Sequence, residues 1–210
     1  MTAVVLLIGI DATTVRADSP PVSSLYTHNF NNATFYAPDG VTARSSNSGY
    51  NEHIVRDICG RDWHITMGQK FGGEAYLGWN NVQSRAESST ALVHSRYQNV
   101  FTPTTGVYYS AIGTEFEFEN ALSVEFQYTS AYAAGKPIYI LLSEDSGASW
   151  SIVLQTTTID IFGTTTPFVS VKHTFTEAVE MARFAFVQNF NSFSNSNGRI
   201  KMTNVIVEVA

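Results

Sequence analysis

The sequence predicts an all-β chain folded as an antiparallel β-sandwich, and three observations predict it. Residues 122–128, LSVEFQY, alternate Leu122, Val124, Phe126 and Tyr128 with Ser123, Glu125 and Gln127, the period-two pattern of a half-buried antiparallel strand. Residues 137–143, PIYILLS, are apolar on both faces, as in a strand covered from either side. Further short apolar runs, SWSIVLQ, FVSVKHTF, RFAFVQNF and IKMTNVIVEV, then follow at turn-separated intervals.

In chain order, SLYTHNF is the first expected strand, and APDG (37–40) carries the Pro-Asp-Gly chemistry of a β-turn. The polar stretch TARSSNSGYNEH reads as a long loop. WHITM (63–67) and EAYLGW (74–79) are expected to form a hairpin across GQKFGG. Residues 87–101, ESSTALVHSRYQNVF, fit either a Ser/Thr-capped helix or a strand, and both readings stand. TEFEFEN is expected as a strand with Phe116 and Phe118 inward and Glu115, Glu117 and Glu119 outward. In the last run the apolar phase shifts from Ile200 and Met202 to Val205, Val207 and Val209, which predicts a β-bulge near Thr203 or Asn204. No repeat of fixed period is present, which argues against a propeller.

Composition narrows the function classes. A chain of 210 residues with 44% hydrophobic residues, including 14 Phe, 10 Tyr and 3 Trp, has enough apolar surface for one sandwich domain. Only 14% of residues are charged, the formal net charge is -6, and no run of Lys or Arg occurs, so nucleic acid is excluded as a partner. The apolar run AVVLLIGI (3–10) is too short to span a bilayer, which excludes membrane insertion by it. It leads to VRADS, with Val15 and Ala17 at the small-residue spacing of a signal-peptidase site. Residues 1–17 are therefore expected to be a signal peptide or, if retained, an N-terminal strand; 18–24 a linker; and 25–210 the sandwich. That organisation implies an extracellular or cell-surface protein. Cys59 is the single cysteine, so no intrachain disulfide forms, and it is expected to be buried beside Ile58.

The most pattern-like stretch is LSEDSGASW (142–150). Ser143, Asp145, Gly147 and Trp150, with Ser149, match the turn pattern called an Asp-box, in which the carboxylate accepts N–H groups of its own loop, glycine takes positive φ and the tryptophan packs beneath. Turn chemistry alone accounts for these residues. A ligand site, if placed by aromatic content, falls in WHITMGQKFGGEAYLGWNN: Trp63, Tyr76 and Trp79 are candidate stacking platforms for sugar rings, with Asn80 and Asn81 to bond hydroxyls. The same aromatics equally suit a core.

Glu115, Glu117, Glu119 and Glu125 offer carboxylates for a divalent cation, but a solvated acidic face explains them as well. The histidines, at 28, 53, 64, 94 and 173, show no zinc spacing. No cofactor is expected, with a structural calcium ion the one addition left open. No Gly-x-Ser-x-Gly elbow, phosphate loop or His-Glu-x-x-His occurs, so the chain is not expected to be an enzyme.

From Leu25 onward, the order W63HITM, FGGEAYLGWNN, LSVEFQYTSAYAAGKPIYILLSEDSGASW, ARFAFVQ and GRIKMTNVIVEV is similar to secreted jelly-roll modules. Such modules occur as cleaved-adhesin and MAM-like domains and beside bacterial extracellular nucleases. The resemblance implies a jelly-roll sandwich serving as a non-catalytic binding or adhesion module whose partner is a glycan or a cell-surface or matrix component. The alternative is a self-assembling subunit of a matrix, filament or virion that pairs with other copies of itself through its N-terminal strand. A glycosidase would instead require a pocket with two carboxyl groups about 5–10 Å apart.

Overall fold

A computed structural model describes residues 23–30, 33–44, 52–66, 68–71, 74–77, 91–102, 107–131, 135–159, 161, 167–190 and 199–210. The chain is an antiparallel β-sandwich of the jelly-roll type. Its strands are β1 (Ser24–Asn29), β2 (Thr34–Tyr36), β3 (Glu52–Arg56), β4 (Asp62–Thr66), β5 (Gly68–Phe71), β6 (Glu74–Leu77), β7 (Tyr108–Thr114), β8 (Phe118–Ala131), β9 (Pro137–Ser143), β10 (Ser151–Thr157), β11 (Val169–Phe190) and β12 (Arg199–Val209). One layer runs β5-β6-β12-β8-β11, with β1 also paired to β12; the other runs β10-β9-β11-β7-β4-β3-β2.

The strand β11 belongs to both layers. Residues from Val169 to Ala182 pair with β8, and those from Arg183 onward pair with β9 and β7. FVSVKHTF and RFAFVQNF are thus one 22-residue strand where the sequence predicts two. The physical reason is local: TFTEAVEMARF holds no Gly, Pro, Asn or Asp to turn the chain, so it crosses the end of the sandwich extended. Between Thr174 and Val179 the register with β8 slips, leaving residues 175–178 opposite Leu122 alone, a bulge that bends the strand.

Between the layers lies the core, built from Val124, Phe126 and Tyr128 on β8, Val205, Val207 and Met202 on β12, Phe184 and Phe186 on β11, and Ile138 and Ile140 on β9. Strand β9 is covered on its other face as well, where Leu141 is buried and Tyr139 half-buried. The cover there is a helix, α1 (91–96), and the turn that follows it, which lay Val93, Tyr97 and Phe101 against β7, β9 and β11. Val93 and Tyr97 are four residues apart and share one helical face. Helix therefore prevails at 91–96 in the segment whose type the sequence left open. The β12 bulge falls at Thr203, skipped between Met202↔Tyr128 and Asn204↔Gln127.

Three expectations are corrected. WHITM and EAYLGW are not a hairpin: β4 pairs with β3 and β7 in one layer, while β5 and β6 form the hairpin in the other. With Phe71 opposite Glu74, only Gly72 and Gly73 separate these strands, the length of the tightest hairpin loop. TEFEFEN is not a continuous strand, because β7 ends at Thr114 and β8 begins at Phe118. Its acids take separate partners: Glu115 pairs with Arg96, and Glu117 with Arg183 at 3.2 Å. Cys59 and Ile58 are exposed, not buried. Both sit on a tight turn, closed by Gly60 N donating to Asp57 O at 3.0 Å with Gly60 at φ 76°, that projects off the sandwich. Residues 1–17 and Asp18–Pro21 lie outside the described residues, and β1 starts at Ser24.

Candidate functional site

The turn 143–150 is closed from within. Asp145 Oδ1 accepts the Ser143 hydroxyl and the Ser149 N–H, both at 2.8 Å, and Oδ2 accepts the Ser149 hydroxyl at 2.5 Å. Ser143 Oγ accepts Gly147 N at 2.8 Å, Gly147 stands at φ 91°, and Trp150 is buried with its Nε1 donating to Gly147 O at 3.2 Å. Asn99, in the turn after α1, accepts Trp150 N and donates to Trp150 O, tying the loop to the helix. The carboxylate is held at about 2 by the Ser149 hydroxyl first, then the Ser149 N–H and the Ser143 hydroxyl. These partners leave Asp145 a structural role.

Beside this turn is a recess of about 330 Å³ flanked by Arg96 and Arg183. Both guanidinium groups are already matched by carboxylates, Glu115 and Glu117, so the recess offers no uncompensated cation.

A larger cleft of about 710 Å³ opens between the edges of the two layers, where β11 crosses. β10 forms one wall and contributes Val153; the bulged part of β11 forms the other and contributes His173, Phe175, Glu177 and Glu180, and Glu144 also lines it. His173 and Phe175 are two residues apart, so they share a strand face, and their rings meet edge to face at 4.8 Å. Behind Phe175, the ring of Phe184 stacks at 6.2 Å and fixes it to the core. The bulge forms the site: four residues of β11 answering one of β8 push this edge outward. The lining joins an apolar ring and aliphatic side chains to carboxylates and threonine hydroxyls, with acids outnumbering bases.

The aromatic site predicted from sequence does not assemble around Trp63. That ring is 0% exposed, packs edge-on against Phe30 at 5.0 Å, and donates Nε1–H to Asp57 at 2.9 Å, so it has no face open to a ligand. Tyr76 lies on β6 opposite Gln69 and Lys201. Trp79, Asn80 and Asn81 lie outside the described residues. His173, Phe175, Glu177 and Glu180 were not singled out from the sequence. The available signal was a phase change: Val169, Val171, Phe175 and Val179 pack inward on odd positions, then Ala182, Phe184 and Phe186 on even ones.

No protein-family model matches the sequence, and no curated protein matches it. Among solved structures, the chain is similar to the K2 cleaved adhesin domain of Lys-gingipain at 11% identity and a TM-score of 0.43, covering 88% of this chain and 99% of that one. It is similar to a family 29 carbohydrate-binding module at 10% identity and a TM-score of 0.41, covering 90% of each chain. It is also similar to the C-terminal family 6 carbohydrate-binding module of a laminarinase from Zobellia galactanivorans, at 8% identity and a TM-score of 0.36, over 88% of this chain and 99% of that one. With TM-scores below 0.5, no ligand or partner is carried over from them.

Proposed function

We propose that this chain is a non-catalytic extracellular binding or adhesion module that takes a neutral glycan in the cleft between β10 and β11. The observation that carries the reading is the lining of that cleft: an aromatic ring fixed by the core, next to carboxylates and hydroxyls. A sugar presents apolar C–H faces and a belt of hydroxyls, so such a lining answers both. Glu144, Glu177 and Glu180 accept hydroxyl protons and repel uronate or sulfate groups. The test is a glycan array followed by calorimetry on the full chain. Neutral oligosaccharides bind the wild type and lose about tenfold or more in affinity to Phe175→Ala. Equal affinity for both proteins overturns the cleft assignment. Hydrolysis of a bound oligosaccharide, lost in Glu177→Gln or Glu180→Gln, overturns the non-catalytic reading.

A second reading, a self-assembling structural subunit, is favoured by a different observation. Ile152 on β10 and Met181 on β11 are 44% and 39% exposed, and Phe168 and Ile159 beside these edge strands are exposed too. Among the described residues β10 pairs only with β9, so its outer edge is free to add a strand from another copy. Concentration-dependent oligomers that Ile152→Lys dissolves support this reading; a monomer at all concentrations sinks it.

A further inference from the structure

Three side chains of metal-ligating type converge where β1 meets the turn between β3 and β4. His28 comes from β1, and Asp57 and Cys59 from the turn. One donor atom from each lies within 4.8 Å of the other two. His28 and Asp57 have side chains 1% and 0% exposed and meet at 2.6 Å, Nδ1 to Oδ2, whereas Cys59 faces solvent. The carboxylate is oriented by Trp63 Nε1 at 2.9 Å on Oδ2, and by the N–H groups of Cys59 at 2.8 Å and Arg61 at 3.0 Å on Oδ1. The other ring nitrogen of His28, Nε2, is buried and has no hydrogen-bond partner.

We propose that His28, Asp57 and Cys59 form a binding site for one divalent cation of the zinc class, entered from the Cys59 side. Imidazole nitrogen, carboxylate oxygen and thiolate sulfur are the donors such an ion takes, and three protein ligands leave its fourth position to water. Bonds of 2.0–2.3 Å set tetrahedral donors about 3.3–3.7 Å apart, so the cluster closes by rotation of the exposed Cys59 side chain and a small opening of the His28 to Asp57 pair. The ion replaces the proton between Nδ1 and Oδ2. That proton moves to Nε2, the ring nitrogen with no other bond to break, and the thiol proton goes to solvent. Carboxylate and thiolate then neutralise the dication. The Trp63, Cys59 and Arg61 N–H groups remain on Asp57 as the outer bonds that hold a ligating carboxylate in place. A dry His–Asp pair with an orphaned nitrogen, lying under the chain's one thiol, is more than packing of the sandwich requires.

The probe is Co2+ added to the reduced 210-residue chain. The expected result is a thiolate-to-cobalt charge-transfer band that saturates at one ion per chain, is accompanied by release of about one proton per ion, and is displaced by Zn2+. Cys59→Ala, at an exposed turn position, keeps the fold, abolishes the band and weakens Co2+ binding at least about tenfold. Zn2+ raises the thermal midpoint of the wild type and leaves that of Cys59→Ala unchanged. Absence of the sulfur band in the wild type, or equal Co2+ affinity and equal zinc stabilisation in both proteins, overturns the proposal.

Discussion

Asp145 holds Ser149 at both of its polar groups, accepting the backbone N–H on Oδ1 at 2.8 Å and the hydroxyl on Oδ2 at 2.5 Å. These bonds favour the ionised carboxylate and lower its pKa from 3.8 to about 2. The folded value lies below the unfolded one, so the contribution to stability is full above 3.8 and is lost as pH falls through about 2. Asp145→Asn is expected to lower the thermal midpoint at neutral pH, and the gap from wild type to narrow on acidification. Thermal unfolding of both proteins between about pH 6 and pH 2 checks this; a gap that stays constant with pH refutes the assignment.

Gly113 on β7 is the place where Tyr97 reaches the sheet. A Cβ there would stand 2.8 Å from Tyr97 Oη and 3.2 Å from Ala185 Cβ. Tyr97 is fully buried and packs edge-on against Trp150 at 5.0 Å, so its ring cannot withdraw. Gly113→Ala is expected to destabilise the chain by about 1–3 kcal/mol through overpacking. Denaturant unfolding measures it, and pairing the change with Tyr97→Phe should recover part of the loss.

His53 gives the fold a pH dependence of opposite chemistry to Asp145. Burial first, then the Arg44 cation and His64, lower its pKa from 6.5 to about 4, against the raising influence of Glu52. The unfolded chain therefore binds a proton at a pH where the folded chain does not, and stability falls as pH drops from 6.5 towards 4. The loss is about 3 kcal/mol when converted from the shift. His64 is lowered too, chiefly by burial. Replacement His53→Gln should flatten most of the decline, leaving a residual slope for His64; an unchanged slope refutes the assignment.

Trp63→Phe tests whether that residue serves the fold or a ligand. The change keeps an aromatic ring and removes the Nε1–H that bonds buried Asp57. A cost of about 1–3 kcal/mol is expected, because a charged acceptor loses a donor. Glycan affinity should not change. A loss of affinity with unaltered stability would return Trp63 to the binding surface.

What the sequence made legible was decided by neighbours along the chain. The bulge at Thr203 shows in the phase of Ile200, Met202, Val205 and Val207 alone, and the turn at Asp145 in residues that bond one another. Strand β9 reads as doubly covered, but its cover, Val93 on α1 and Tyr97 in the turn after it, comes from far upstream in a segment of mixed propensity. Cys59 read as buried because hydrophobicity outweighed the Asp57 to Gly60 turn, whose hydrogen bonds push it outward. The cleft was least legible. It depends on the register of β11 against β8, and that register is set by pairing, not by local preference.

The two placements of a glycan site separate in one experiment. Phe175 stands in the cleft with Phe184 behind it, whereas Trp79 comes two residues after β6 in the sequence. Phe175 is half-buried, so Phe175→Ala is expected to cost about 1–3 kcal/mol in stability as well as glycan affinity. Trp79→Ala should leave the affinity intact if the cleft is the site. A titration with one neutral oligosaccharide, run on both variants at a temperature where each is folded, decides between them. Affinity lost only in Trp79→Ala moves the site to Tyr76, Trp79, Asn80 and Asn81. Affinity lost only in Phe175→Ala fixes it in the cleft, with the Phe175 ring as the platform and the acids of β11 as the hydroxyl acceptors.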